Sequence, residues 1–154
     1  MIITSIQSSG HEVIKIVHIT ISIAFLIFAI LVISRSAWGF IKQKPYTRLD
    51  RFLSYAFIIS LYLQVFLGIM LFSGLGILSG YDYLGEDNSV RMVTKRLWPI
   101  EHIVMMLFAI MIATLGLIFS IKARVDKDKY KKVLIYFVIS ILLIAESLSA
   151  IYLF

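Results

Sequence analysis

The amino-acid sequence predicts an all-α integral membrane protein, a four-helix up-down-up-down bundle forming a single transmembrane domain over residues 1–154. Three observations predict it. Hydrophobic residues make up 60% of the chain and charged residues 16%, with a mean hydropathy of +0.95; an ordinary soluble domain carries about 25% charged residues. The apolar residues gather into four runs, each reaching the roughly 20 residues a helix needs to cross a hydrocarbon core of about 30 Å. Connections rich and poor in Lys and Arg alternate between those runs, as membrane topology signals do. A soluble fold of 154 residues could not hide this much apolar surface.

The first run covers about 13–34, after a short mixed segment without a basic start. It is too long for a signal-peptide core, no small-residue cleavage site follows it, and Arg35 ends it, so it reads as a retained span. The second covers 52–79 and is interrupted late by Gly68, Gly74 and Gly76. Small residues at such positions allow close helix approach, or room for a flat cofactor. The third covers 97–121 and opens on Trp98 and Pro99; proline in a first helical turn costs little, because that N–H has no intrahelical partner. The fourth covers 133–154. In lipid, backbone polar groups must be satisfied within the segment, so all four runs should be helices. No internal repeat is visible, and no linker is long enough to separate pairs of spans.

Between the first and second spans lie Arg35, Lys42, Lys44, Arg48 and Arg51 against Asp50. Between the third and fourth lie Lys122, Arg124, Lys127, Lys129, Lys131 and Lys132 against Asp126 and Asp128. The middle connection, 81–96, has Arg91, Lys95 and Arg96 facing Asp82, Glu86 and Asp87. Because basic residues are retained in the cytoplasm, the first and third connections are expected inside, and the N-terminus, the middle connection and the C-terminus outside. The net charge of +6 follows from the same residues. All fifteen Lys and Arg lie in connections or at span ends, so the lipid bilayer is the expected partner and nucleic acid is not. The absence of cysteine excludes disulfides, iron–sulfur ligation, covalent c-type haem attachment and thiolate zinc sites.

Ionisable groups in a bilayer core cost at least ~2.5 kcal/mol when charged near its centre, so each requires an explanation. They are His18, Glu101, His102 and Glu146, with Gln64 and Tyr62 as uncharged companions. His18 and His102 each lie about five residues inside the outer end of their spans, roughly 8 Å deep, and Glu146 lies roughly 12 Å deep. The polar groups thus gather in the outer half, and the inner half reads as scaffold. In an up-down-up-down bundle the first and third helices are diagonal across the core. Two histidines at one depth on those helices could ligate the two faces of a haem iron, with Glu146 or Gln64 as hydrogen-bond partner to an imidazole. Interfacial histidines also bond simply to water, a headgroup or a neighbouring helix, and that alternative stands beside the first. His11, seven residues before His18, is a weaker alternative ligand or a surface residue. Glu101 suits helix capping and the positive end of the helix dipole. Glu146, flanked by Ser147 and Ser149, suits a proton acceptor beside a quinol, a histidine partner or an interhelical hydrogen-bond donor. Met105 and Met106 read as packing residues.

The stretch KPYTRLDR followed by FLSYAFIISLYLQVFLGIMLF resembles the first cytoplasmic loop and second span of a family of small four-span cytochrome b-like membrane proteins of Bacteroidetes-type bacteria. RLWPIEHIVMMLFAIMIATLG resembles that family's Glu-His motif with two following methionines, and the lysine-rich KDKYKKVLIYFVISILLI is similar as well. The resemblance spans most of residues 11 to 145. It implies a b-type haem protein of the bacterial inner membrane, with His18 and His102 matching the family's first- and third-span histidines. Two departures stand out: Tyr62 occupies a position where members often carry histidine, and Ile19–Ser22 replaces the usual Ser-Gly-x-Arg-Trp.

The expected function is electron transfer through one haem b between the first and third spans near the outer leaflet, with His18 and His102 on the iron. Glu146, Gln64 and Tyr62 are the neighbouring site residues, and a quinone is a second candidate cofactor. The rival expectation is a cofactor-free accessory subunit of a larger respiratory or secretory membrane complex, partnered by other membrane subunits. Either role suits an electron-transfer or accessory subunit better than an enzyme acting alone. A transporter or metal-handling protein is disfavoured, because the inner half offers no polar path.

Overall fold

A computed structural model describes the backbone over residues 2–79 and 90–153, and side chains over 10–74 and 99–149. The middle connection at 80–89 with its acids, and the side chains of Arg91, Lys95, Arg96 and Trp98 and the surroundings of Gly76, lie outside the described residues. The described chain is all-helical: α1 (Ile2–Ile41), α2 (Arg48–Ser79), α3 (Val90–Lys122) and α4 (Asp126–Leu153). Each contains a stretch long and apolar enough to cross a membrane, namely Gly10–Ile41, Arg48–Gly74, Pro99–Lys122 and Asp126–Ser149.

The helices outrun the predicted spans. α1 continues past 34 to Ile41, α4 begins at Asp126 rather than 133, and α3 begins at Val90 rather than 97. Hydropathy marks where a helix leaves hydrocarbon, not where its hydrogen bonding stops. Beyond that boundary helical pairs keep the turns closed, as Lys129 Nζ does on Asp126 Oδ1 at 2.7 Å. The earlier start of α3 also changes two local expectations. Pro99 lies inside the helix rather than in its first turn, so it removes the bond residue 99 would donate to residue 95. Glu101 lies well past the first turn and is exposed, so it neither caps α3 nor meets its positive end.

The helices pack in a ring, α1 on α2 and α4, and α3 on α4 and α2; the α3–α4 face is the most extensive and α2–α3 the least. α1 and α3 are thus diagonal. The core is aromatic at its centre: Phe57 stacks on Phe137 at 4.4 Å between ring centroids and tilts against Phe25 at 5.1 Å. Ala109 and Ala113 are fully buried and let α4 close on α3, where Ser140 Oγ donates to the Ala109 carbonyl at 2.8 Å. Large apolar residues such as Ile16, Ile30, Phe66 and Leu142 face outward, each more than half exposed. On a soluble protein, patches of this kind would drive association; here they form the surface that meets lipid.

Gly116 shows how close α3 and α4 run. A Cβ there would collide with Tyr136 Cβ and reach its Cγ at 3.0 Å. Since Tyr136 Cβ is fixed to the α4 backbone, relief requires the helices to part. Gly116→Ala is therefore expected to destabilise the bundle by about 1–3 kcal/mol, read as a lower melting temperature in detergent. Gly68→Ala, whose Cβ would meet only His18 Cε1 at 3.8 Å, is expected to melt like the parent.

The end of the bundle carrying the connections 42–47 and 123–125 is closed by a polar network. α1 ends with Gln43 in the left-handed region (φ 49°) and Lys44 N–H bonding back to the Gly39 carbonyl at 3.0 Å, a helix-terminating turn. Thr47 then precedes α2, and its N–H donates to Asp50 Oδ2 at 2.7 Å, the reciprocal arm of a capping box. Arg35 of α1 reaches Asp50 Oδ1 at 2.7 Å, and Tyr130 of α4 donates to Oδ2 at 2.9 Å and to the Pro45 carbonyl at 3.0 Å. Tyr130 is fully buried, lying against Gly39 so closely that a Cβ there would enter its ring.

Candidate functional site

His11, Lys15, His18 and Ile19 are spaced four, seven and eight residues from the first, which places them on one face of α1. That face looks onto Gly68, Leu71 and Phe72 of α2 and onto Pro99, His102 and Ile103 of α3. Together they wall a cavity of about 440 Å³, within the range of small-molecule and cofactor sites. α4 contributes none of these lining residues. The lining is apolar apart from the three histidines and Lys15, and it lies beside the slimmest helix–helix face of the bundle, α2–α3.

His18 and His102 thus face one space from diagonal helices. Their environments differ. His102 Nδ1 lies 2.8 Å from Ser147 Oγ, and the Ser147 hydroxyl donates to the Ile144 carbonyl at 3.1 Å. With the Ser147 proton on the Ile144 carbonyl, Ser147 accepts from Nδ1–H, the tautomer that leaves the His102 lone pair on Nε2. This is how proteins orient a metal-binding imidazole. His18 Nδ1 is buried with no hydrogen-bond partner among the described residues, an arrangement that costs about 1–3 kcal/mol unless something else meets the atom. His11 packs into the space left by Gly74, whose added Cβ would lie 2.9 Å from its Nδ1. Among the described residues no three His, Asp or Glu side chains converge as a metal site. A bare zinc-like ion takes three or four protein ligands; two imidazoles suit a metal that arrives with its other ligands.

The remaining site residues expected from the sequence fall elsewhere. Gln64 is 4% exposed; its Nε2 donates to the His18 carbonyl at 3.1 Å and to Ser22 Oγ at 2.9 Å, and so does not meet an imidazole. It pins α2 to α1 beside His18 through the backbone. Tyr62 is half-exposed and its hydroxyl lies 3.2 Å from Thr114 Oγ1, bridging α2 and α3 away from the cavity lining. Glu146 is exposed and lines no part of the cavity. The residue that meets His102 is its neighbour Ser147, which the sequence singled out only as a flank of Glu146. A signal for it existed: Val133, Phe137, Ser140, Ile144 and Ser147 recur at alternating steps of four and three, and all are buried. Glu146 falls just off that stripe. No family model, curated protein or solved structure matches the chain, so the chemistry of this cavity has to be taken from its own walls.

Proposed function

We propose that the protein is a small membrane-bound b-type cytochrome-like electron carrier, with one haem in the outer cavity ligated by His18 and His102. The observation that carries this is the pair of imidazoles from diagonal helices facing one apolar cavity, one with Nδ1 held by Ser147 and the other with a buried, unpartnered Nδ1. These residues fit the group: two imidazoles for the iron, Gly68 leaving room opposite His18, and Leu71, Phe72, Ile19 and Ile103 excluding water from an apolar macrocycle. Lys15 and His11 line the same cavity; Lys15, which pairs with Glu12 at 3.8 Å, supplies a cationic group for the macrocycle's carboxylates. When bound, haem supplies one-electron chemistry, its potential tuned by ligand orientation and burial. Ser147 orients His102, Gln64 fixes the backbone at His18, and the apolar walls lower the local polarity.

The basic connections 35–51 and 122–132 support an orientation with these loops in the cytoplasm and both termini outside, which puts the cavity in the outer leaflet of a bacterial inner membrane. The test is the absorption spectrum of the purified protein from haem-replete cells. A Soret band with reduced-state α and β bands is expected, and a colourless preparation rejects the proposal.

One observation favours a second role, that of an accessory subunit. The span in α1 is 17% buried against 28–33% for the other three, which leaves a broad apolar face for a partner helix. Stoichiometric co-purification of another membrane protein, unchanged by loss of both histidines, would establish that role in place of the first.

A further inference from the structure

At the end of the bundle opposite the histidines, Lys122 closes α3, and Lys131 and Lys132 lie in the second turn of α4. The three line a second cavity, of about 420 Å³, whose apolar wall includes Phe119 and Tyr136, edge-on at 5.6 Å between centroids. Asp128 is the one carboxylate in that wall.

Basic residues at this end are expected from topology alone, so their partners matter more than their number. Arg35 pairs with Asp50 and lies over Trp38; Lys44 lies over Trp38, Lys127 over Phe40, and Lys129 pairs with Asp126 and lies over Tyr46. Among the described residues, the side chains of Lys122, Lys131 and Lys132 make no ion pair, hydrogen bond or ring contact, and neither does the Asp128 carboxylate. Three ammonium groups and one carboxylate leave two positive charges (3 − 1) around one hollow. Lys42, Arg48, Arg51 and Arg124 also carry unpaired side chains; like Lys122 and Lys131 they are exposed, but they line neither cavity, so topology accounts for them.

We infer that this hollow binds the phosphate group of an anionic lipid headgroup, with Lys122, Lys131 and Lys132 as donors and Phe119 and Tyr136 beneath the glycerol. Lysine ammonium groups are compact, with three donors that rotate to meet phosphate oxygens. Their depth fits, because Lys122 and Lys132 flank the points where α3 and α4 leave their apolar runs, the level of the headgroups. Basic pockets between membrane helices recognise anionic headgroups in this way. Soluble phosphate shares the charge but has no use for the aromatic wall. The inference is independent of the haem proposal, whose cavity lies at the other end.

The test uses the full chain in phosphatidylcholine nanodiscs, with and without phosphatidylglycerol, and reads retained lipid by native mass spectrometry together with the melting temperature. Phosphatidylglycerol is expected to bind and stabilise the parent, and K122Q/K131Q/K132Q to bind it at least about ten-fold more weakly. The charge-matched control K42Q/R48Q/R51Q is expected to bind like the parent, and inorganic phosphate alone to give no stabilisation. A triple variant that binds like the parent overturns the inference. So does a control that loses as much, which means diffuse attraction, or inorganic phosphate matching the lipid, which means a soluble-anion site. If the triple variant lacks native helical content, Lys131→Gln and Lys132→Gln are each expected to weaken binding several-fold, and parent-like binding by both overturns it.

Discussion

Asp50→Ala is expected to destabilise the bundle by about 3 kcal/mol. The carboxylate is 3% exposed and holds three segments at once: Arg35 of α1 at 2.7 Å, Thr47 N–H and hydroxyl at 2.7 and 2.6 Å, and Tyr130 of α4 at 2.9 Å. Removing it takes the acceptor from a guanidinium, an amide and a hydroxyl, and leaves the Tyr130 phenol only the Pro45 carbonyl. Breaking a buried pair from one side costs about 3–5 kcal/mol. The Arg35 side chain keeps 28% of its surface, so water recovers part of its loss and the lower end applies. Asp50→Asn retains an acceptor but not the charge, and should cost less than alanine. Tyr130→Phe removes one shared proton and should cost about 1 kcal/mol. Unfolding by SDS titrated into mild detergent, followed by helical circular dichroism, gives all three. An alanine variant as stable as the parent would mean that this network does not hold this end of the bundle together.

That network marks a limit of what the sequence discloses. The four spans were legible because hydrocarbon imposes a length and bars charge, and both constraints act on composition alone. Asp50 counted there only as one acid among basic neighbours in a connection. Its burial depends on Tyr130, eighty positions later, folding back over Gly39, a contact no local pattern contains. The faces of the helices were equally hard to assign. Core and lipid are both apolar, so a span lacks the polar-outward contrast that marks a soluble amphipathic helix. Ser140 and Ser147 show the seam of α4 once the helix is seen, whereas Glu146, the more conspicuous residue, faces outward. The matching positions of His18 and His102 along their spans pointed to a shared site, and the two line one cavity. The hydrogen bonds around them were not legible, because a glutamine in reach of an imidazole at equal depth binds the backbone instead.

The second large effect concerns those histidines. His18→Leu and His102→Leu are each expected to lower haem occupancy and to turn a low-spin spectrum high-spin, since one imidazole can still hold a haem, and the double variant is expected to lose it. Leucine in a span is better tolerated than histidine, so loss of cofactor need not come with loss of fold. Ser147→Ala should behave differently. It removes the hydroxyl 2.8 Å from His102 Nδ1 but not the ligand, so haem is retained while the midpoint potential moves and affinity falls by about 10–100-fold. Restoration of the parental potential by Ser147→Thr would separate orientation of the imidazole from mere packing.

The most direct measurement is haem per chain, by reduced-minus-oxidised spectra and pyridine haemochrome, in the parent, the two histidine variants and the double variant purified from the same haem-replete host. One low-spin haem per parental chain, a high-spin spectrum at lower occupancy in either variant, and no haem in the double variant at unchanged helical content, is the predicted result. A parent without haem, a single variant with the parental low-spin spectrum, or a double variant that retains haem would contradict a haem held between His18 and His102.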